Sequence, residues 1–180
     1  MRYRLRDGVA SIADRFDVIL LDPPPALGMI SLSVLRAANA LLVPAPPNNI
    51  DFASTVHFLR MMTTPLGQLT EQTGEAARYQ FVKILATTLN ETKSAHVSSK
   101  RMMDAVFPQD MLATTLKDSA EIDNATANLL TVYEVTGPAT RSDTHQRCRA
   151  YLDAGGREVE ILMRKTWPSH HARLSREGVL

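Results

Sequence analysis

Short apolar runs alternate with amphipathic stretches along most of the chain. Consecutive apolar residues that end in proline or polar residues are typical of strands buried on both faces of a parallel sheet. Four segments have this character: residues 17–22, 40–44, 81–88 and 110–116. The pattern therefore predicts four strands.

Apolar residues recur at helical spacing around and between these runs, which predicts the helices. The predicted helices cover residues 4–15, 31–39, 51–62, 92–105, 120–130 and 142–167. Ser119 and Ser142 are suitable N-caps for the last two. Because two interior glycines cost about 2 kcal/mol relative to alanines, Gly155-Gly156 predicts a kink or a break in the last helix. Residues 63–78 show no clear period and are predicted to be irregular.

The alternation of strand and helix favours an α/β fold with a layered, mainly parallel sheet and helices on both faces. Charge divides the chain: residues 1–136 carry 12 Lys/Arg against 14 Asp/Glu, and residues 137–180 carry 8 against 5. We therefore expect a core over residues 1–136 and a helical, mildly basic extension of the same domain over 137–180. The extension would contact an anionic partner such as nucleic acid, or it would be a solvated helix face.

Asp22 is the strongest candidate for chemistry. It ends the first apolar run and precedes three prolines, Pro23 to Pro25. In open α/β sheets ligands bind beside the carboxyl ends of the strands, where a carboxylate can hold Mg²⁺ next to a nucleotide phosphate. The alternative is an aspartate that only caps a turn.

Three polar loops follow predicted strands: residues 22–28, 44–51 and 87–93. They would gather at one edge of a parallel sheet, which favours a nucleotide-type site. Gly28 can adopt conformations closed to other residues and suits a phosphate-side loop. The chain contains no Gly-x-Ser-x-Gly elbow, no His-Glu-x-x-His, no paired-cysteine zinc motif and no Gly-x-Gly-x-x-Gly fingerprint.

Composition places the chain among ordinary soluble proteins. Hydrophobic residues make up 44% and charged residues 22% of the 180, with a net charge of +1. No apolar run approaches the length of a membrane span, and no apolar signal core follows the basic start. These features predict a cytoplasmic protein without membrane contact. The single cysteine, Cys148, excludes an internal disulfide and is expected to pack in a helix.

Several ordered segments carry a resemblance to ParA-type partition ATPases, in particular the RepA-type of repABC replicons. DVILLDPPPALG at 17–28 resembles that family's Walker B segment, an aspartate followed by prolines. Further similar segments are ANALLVPAPP at 38–47, DFAST at 51–55, LKDSAEID at 116–123, TVYE at 131–134, THQRCRAYL at 144–152 and RKTWP at 164–168. The resemblance covers nearly the whole chain.

The resemblance implies a deviant-Walker P-loop NTPase fold that binds ATP and Mg²⁺, forms a homodimer, binds non-specific DNA and meets a ParB-type centromere-binding protein. Such a protein works in the cytoplasm on the nucleoid. By position, Asp22 would be the catalytic and metal residue, ordering Mg²⁺ directly or through water, and Gly28 would sense the γ-phosphate. Thr87, Thr88 and the segment after Leu116 would lie near the base.

The resemblance also implies DNA phosphate contacts from the basic extension. The candidates are Arg147, Arg149, Arg164 and Lys165. Contacts of this kind are salt-sensitive and carry no sequence information.

The family's phosphate loop has no counterpart in these 180 residues. No Gly-Lys pair occurs, and only 21 residues precede Asp22, too few for the P-loop strand and its helix. The sequence therefore resembles the C-terminal portion of a partition ATPase, incomplete at its N-terminus and without autonomous ATPase activity. Whether it is an enzyme stays open. The alternatives are a non-enzymatic DNA- or partner-binding module derived from that portion, and a chain that does not fold stably.

Overall fold

The computed structural model describes residues 4–24, 28–74 and 78–167. Within these ranges the helices are α1 (Arg4–Ala10), α2 (Met29–Ala37), α3 (Asn49–Thr73), α4 (Ser94–Val106), α5 (Ala120–Ala127) and α6 (Asp143–Thr166). The strands are β1 (Leu41–Ala45), β2 (Val82–Leu89) and β3 (Met111–Lys117). Short 3-10 turns cover Ala13–Arg15 and Pro138–Arg141.

The strands form one sheet in the order β1-β2-β3. β2 and β3 run parallel, with Ile84 opposite Met111 and Ala86 opposite Thr115. Two steps along β2 therefore face four along β3, so β3 carries extra residues in a bulge around 113–114. Three predicted strands and the α/β class with a parallel sheet are confirmed.

The predicted strand over residues 17–22 is wrong. Residues 18–24 belong to no helix or strand, and Leu20 is 89% exposed. A strand needs a neighbouring strand for its backbone N–H and C=O groups. No strand in the described part of the chain pairs with this segment, so its apolar pattern alone does not produce one.

The chain divides into two compact units, Met1–Leu41 with Val56–Val82, and Leu42–Thr55 with Lys83–Leu180. In the first unit α1 packs on α2, and the Tyr79 hydroxyl donates a hydrogen bond to the Leu35 carbonyl at 2.8 Å. In the second unit the rings of Phe52 and Phe107 meet edge to face at 6.1 Å. The division at residue 136, drawn from charge, stays a prediction.

Helix α3 differs from its prediction at both ends. It begins at Asn49 rather than at residue 51, and Asn48 caps its start: the Asn48 side chain accepts a hydrogen bond from the Asp51 backbone N–H at 2.9 Å and donates one to the Asp51 carboxylate. The helix continues to Thr73 through a segment predicted to be irregular. Met62 is buried near its middle, and packing of this kind sustains a helix that local propensity disfavours.

Helix α6 is one continuous helix, so the predicted kink or break at Gly155-Gly156 is wrong. Gly155 is buried, and a β-carbon there would lie 3.4 Å from Cδ2 of Leu116 in β3. The glycine lets α6 lie close to the sheet, and this contact holds the helix through the pair. The predicted caps are confirmed: the Ser142 hydroxyl accepts from the His145 N–H at 3.2 Å, and the Ser119 hydroxyl accepts from the Glu121 N–H at 3.3 Å.

Candidate functional site

The carboxyl ends of β2 and β3 are joined in the second unit. The Asp118 N–H donates to the Leu89 carbonyl at 3.0 Å, and the Lys117 ammonium lies 2.8 Å from the Glu91 carboxylate. The loop after β2 and the segment after Leu116 therefore lie side by side, as the fold requires for a ligand site at this edge. We call residues 87–93 and 117–119 the sheet edge.

Thr88 gives the sheet edge an unusual backbone. Its φ is +52°, in the left-handed region, which a β-branched residue adopts only under constraint. Strain of this kind costs on the order of 1–3 kcal/mol and concentrates at functional sites. Thr87 is half-buried beside it. Nothing in the sequence signals the strain at Thr88, because glycine or asparagine normally marks such a position.

The loop after β2 is fixed by its own side chains. The Asn90 side-chain oxygen accepts from the Thr92 backbone N–H at 3.1 Å and from the Thr92 hydroxyl at 2.6 Å. This turn leads directly into α4. The loop that follows β1 is also anchored, because the buried Ser99 of α4 donates to the Asn49 side chain at 2.7 Å. Side-chain hydrogen bonds therefore fix the conformation of both loops.

Asp22 and Gly28 belong to the first unit, whereas Thr87 and Thr88 belong to the second. Asp22 is exposed and lies outside any strand. Gly28 is the N-cap of α2, and its carbonyl accepts from the Leu32 N–H at 3.0 Å. Ser31, where the predicted helix over 31–39 begins, lies buried within α2, which starts two residues earlier at Met29. Residues 25–27 of the predicted phosphate-side loop lie outside the described residues.

The four basic candidates all lie on α6, and two of them already contact other side chains. Arg149 stacks over the Tyr133 ring, 5.1 Å from its centroid. Arg164 pairs with Glu160 at 2.6 Å. Arg147 donates to the Asp143 carbonyl of its own helix at 3.1 Å, and Lys165 is exposed.

Helix geometry separates the same four side chains. At about 100° per residue, Arg147 and Lys165 point the same way, since eighteen residues make five turns. By the same count Arg164 lies about 100° away from them and Arg149 about 160° away. Arg147 and Lys165 thus form one face, here called the basic flank, which the sequence prediction did not distinguish from the other two.

Tyr133 and Asp153 extend the contact around Arg149. The Tyr133 hydroxyl donates to the Asp153 carboxylate at 2.6 Å. This hydrogen bond to Asp153 is the main reason that the pKa of Tyr133 is raised, with a smaller contribution from burial. Arg149 therefore sits in a surface cluster with Tyr133 and Asp153.

Glu158 is a structural residue that the sequence prediction missed. Its carboxylate accepts from the backbone N–H groups of Ala113 at 2.7 Å and Thr114 at 2.8 Å. Those residues lie in the β3 bulge, where the ladder leaves donors unused. Glu158 thereby fastens α6 to the outer strand of the sheet. The only signal in the sequence is an acidic residue beside the apolar stripe of the helix.

The hydrogen bonds from β3 affect the pKa of Glu158. Burial is the largest single influence and raises the pKa, but the hydrogen bonds from Thr114 and Ala113 and the charge of Lys83 together outweigh it. The net pKa is lowered, so the carboxylate stays ionised in the folded protein near neutral pH.

Two general features concern metals and membranes. Within the described ranges no group of three or more His, Cys, Asp and Glu residues could hold a metal ion by itself. Likewise, none of the described helices has the length and apolar character to cross a bilayer.

The chain is similar to known proteins in sequence and in fold. The AAA domain family matches residues 1–72. A replication protein A of Rhizobium rhizogenes is 28% identical over 165 residues, covering 91% of this chain and 40% of that protein. The cell division protein PomZ of Myxococcus xanthus is 23% identical over 139 residues, covering 77% of this chain and 41% of that protein.

A solved partition protein has the same fold. Its TM-score is 0.62 at 22% identity, over 89% of this chain and 40% of that one. The chain thus spans about two fifths of the length of these relatives.

Proposed function

We propose that this chain belongs to the ParA-type partition ATPases and serves in ATP-dependent segregation of a replicon, binding DNA through α6 without hydrolysing ATP by itself. The observation that carries the proposal is a similarity to a replication protein A over 91% of the chain. The arrangement of α6 supports the DNA role, since Glu158 and Gly155 fasten the middle of the helix to β3, while Arg147 and Lys165 are exposed near its two ends.

The nucleotide role rests on fewer groups. Mg²⁺ is usually held by one or two carboxylates together with nucleotide phosphates, and it neutralises charge on the phosphates. A single exposed carboxylate such as Asp22 fits that pattern as one ligand, directly or through water. We propose Gly28 for the γ-phosphate side, and Thr87 and Thr88 for the base side. None of these side chains supplies the positive charge of a phosphate-loop lysine, and the chain contains no Gly-Lys pair.

The partners follow from the same family membership. We propose non-specific DNA, a second copy of the protein and a ParB-type centromere-binding protein, with the protein acting in the cytoplasm on the nucleoid. The alternative is a non-enzymatic module that binds DNA or a partner without any nucleotide.

DNA binding is tested by fluorescence anisotropy on two duplexes of unrelated sequence, across a series of salt concentrations. Equal affinity for both duplexes and a steep loss with salt are expected. The pair R147A/K165A should weaken binding and reduce the salt slope by about one unit per residue removed. The matched control K93A/R101A removes the same charge from α4 and its N-cap. Equal losses in both double variants would contradict the assignment to the basic flank.

Nucleotide chemistry is tested by phosphate release with and without Mg²⁺. We expect no turnover above background for the chain alone. The variants are D22A and the control D14A, which removes another exposed carboxylate of the first unit. Mg²⁺-dependent turnover that D22A abolishes and D14A preserves would overturn the view that the chain lacks autonomous activity. Nucleotide-independent DNA binding with no nucleotide affinity would favour the non-enzymatic alternative.

A further inference from the structure

Glu121 of α5 reaches the first turn of α6. One carboxylate oxygen accepts a hydrogen bond from the Thr144 hydroxyl at 2.8 Å. The other lies 3.6 Å from Nδ1 of His145. Two successive residues at the start of the basic helix are therefore held by one side chain.

His145 depends on this contact for its orientation. The ring is 2% exposed, and its Nε2 atom has no hydrogen-bond partner in the described part of the chain. Glu121 is thus the acidic group facing the ring. Cys148 follows His145 by three residues on α6, and it is buried in an apolar cluster with Ala125 and Val132. Removing Glu121 would take away the carboxylate that the structure places beside this buried imidazole, while Nε2 already has no hydrogen-bond partner among the described residues.

Glu121 is also continuous with the sheet edge. It lies two residues after Ser119, the N-cap of α5, and Ser119 lies two residues after the end of β3. Ile122, the next residue of α5, packs against the buried cluster that contains Cys148 of α6. The start of α6 is therefore joined to α5 by the Glu121 carboxylate and by this apolar packing.

From these contacts we propose that Glu121 is a positioning residue for DNA binding: it holds the first turn of α6, and with it Arg147, in the orientation that meets the phosphates. This inference rests on the proposed DNA function of the basic flank. It makes a prediction opposite in sign to simple electrostatics. Removing a carboxylate near a DNA-binding helix should strengthen binding, whereas loss of a positioning contact weakens it.

The decisive measurement is DNA affinity by anisotropy at fixed salt for E121A, E121Q, T144V and D123A. Asp123 is an exposed acid in the same first turn of α5, so D123A is the matched charge control. We expect E121A to bind at least fivefold more weakly than wild type, and D123A to bind as tightly or more tightly. E121Q keeps an oxygen acceptor for Thr144 and should stay within twofold of wild type. T144V keeps the charge but loses the hydrogen bond, and should weaken binding by about half as much as E121A on a logarithmic scale.

Cys148 supplies a second readout that does not need DNA. It is fully buried against the α5–α6 contact, so its reaction with a thiol reagent in the native state reports loosening of α6. E121A should react at least tenfold faster than wild type while its helical circular dichroism is unchanged, and D123A should react at the wild-type rate. T144V gives the same test if E121A loses helix.

The two readouts separate the inference from the function on which it rests. If E121A binds DNA as tightly as D123A does, Glu121 is not a positioning residue. If wild type shows no salt-sensitive DNA binding, the proposed function fails. The rates at which Cys148 reacts with the thiol reagent then test by themselves whether Glu121 holds the first turn of α6. Equal rates in E121A and D123A would overturn it, and a selective rise in E121A would support it as a property of the helix.

Discussion

Glu158 offers the sharpest test of how α6 is held. Its carboxylate accepts two backbone hydrogen bonds from the β3 bulge, at 2.7 and 2.8 Å. Hydrogen bonds to a charged group contribute roughly 1.5–3 kcal/mol each when buried. Ala113 is exposed and Thr114 half-buried, so water can replace part of the loss. We therefore expect E158A to lower the free energy of unfolding by about 2 kcal/mol, and E158Q, which retains one acceptor oxygen, by about 1 kcal/mol.

The pH dependence has a definite sign. The pKa of Glu158 is lower in the folded protein than its ordinary value of 4.5. The carboxylate therefore stabilises the fold above the unfolded pKa, and the contribution is lost as pH falls through the folded pKa. The difference between wild type and E158Q should be complete at neutral pH and should shrink only below the unfolded pKa.

Urea unfolding followed by helical circular dichroism measures both effects. The matched control is E160Q, two residues along the same helix. Glu160 forms only an exposed pair with Arg164 at i,i+4 spacing, worth about 0.3–0.5 kcal/mol. If E158Q and E160Q have equal stabilities at neutral pH, the two hydrogen bonds to β3 do not hold α6. A pH-independent difference would refute the role of the carboxylate charge.

Four backbone positions give further predictions, each measured by urea unfolding. Leu129 has φ +57° and is 95% exposed, so L129G should raise the free energy of unfolding by about 0.5–1 kcal/mol by removing a left-handed leucine; a loss would show that the side chain contributes contacts. Thr88 should behave in the same way: T88G should raise the free energy of unfolding by about 1 kcal/mol, because glycine relieves the backbone strain. An unchanged free energy of unfolding would contradict a strained strand end. In the continuous helix α6, G156A should raise the free energy of unfolding by about 1 kcal/mol, because a β-carbon there meets nothing within 4 Å. G155V should lower it by about 1–3 kcal/mol, because the larger side chain would overpack against Leu116. Equal effects at Gly155 and Gly156 would contradict the close approach of α6 to β3.

Local patterns were enough for most of the secondary structure. The apolar runs at 40–44, 81–88 and 110–116 became β1, β2 and β3, since each pairs with another strand of the same sheet. Ser119 and Ser142 cap their helices as expected, because capping depends only on residues three positions apart or fewer. The order of short segments along the chain was likewise enough to indicate the resemblance to ParA-type partition ATPases.

Non-local contacts decided the rest. The run at 17–22 has the composition of a strand, yet a strand requires a partner that no local pattern can guarantee. Gly155-Gly156 disfavours a helix, yet α6 continues because the glycine fits against Leu116. Thr88 enters the left-handed region only under the constraint of the folded sheet edge.

For the candidate site, the sequence by itself determined which side chains are available: Asp22, Gly28, Thr87, Thr88 and the basic residues of α6. The tertiary structure decided how the side chains of α6, in the second unit, are arranged. It placed Arg147 and Lys165 on one flank, engaged Arg149 and Arg164 elsewhere, and brought the acidic residues Glu121 and Glu158 into contacts that hold α6. The physical reason is that helix and strand periods are local, whereas a hydrogen bond across 23 or 45 residues depends on how the elements pack.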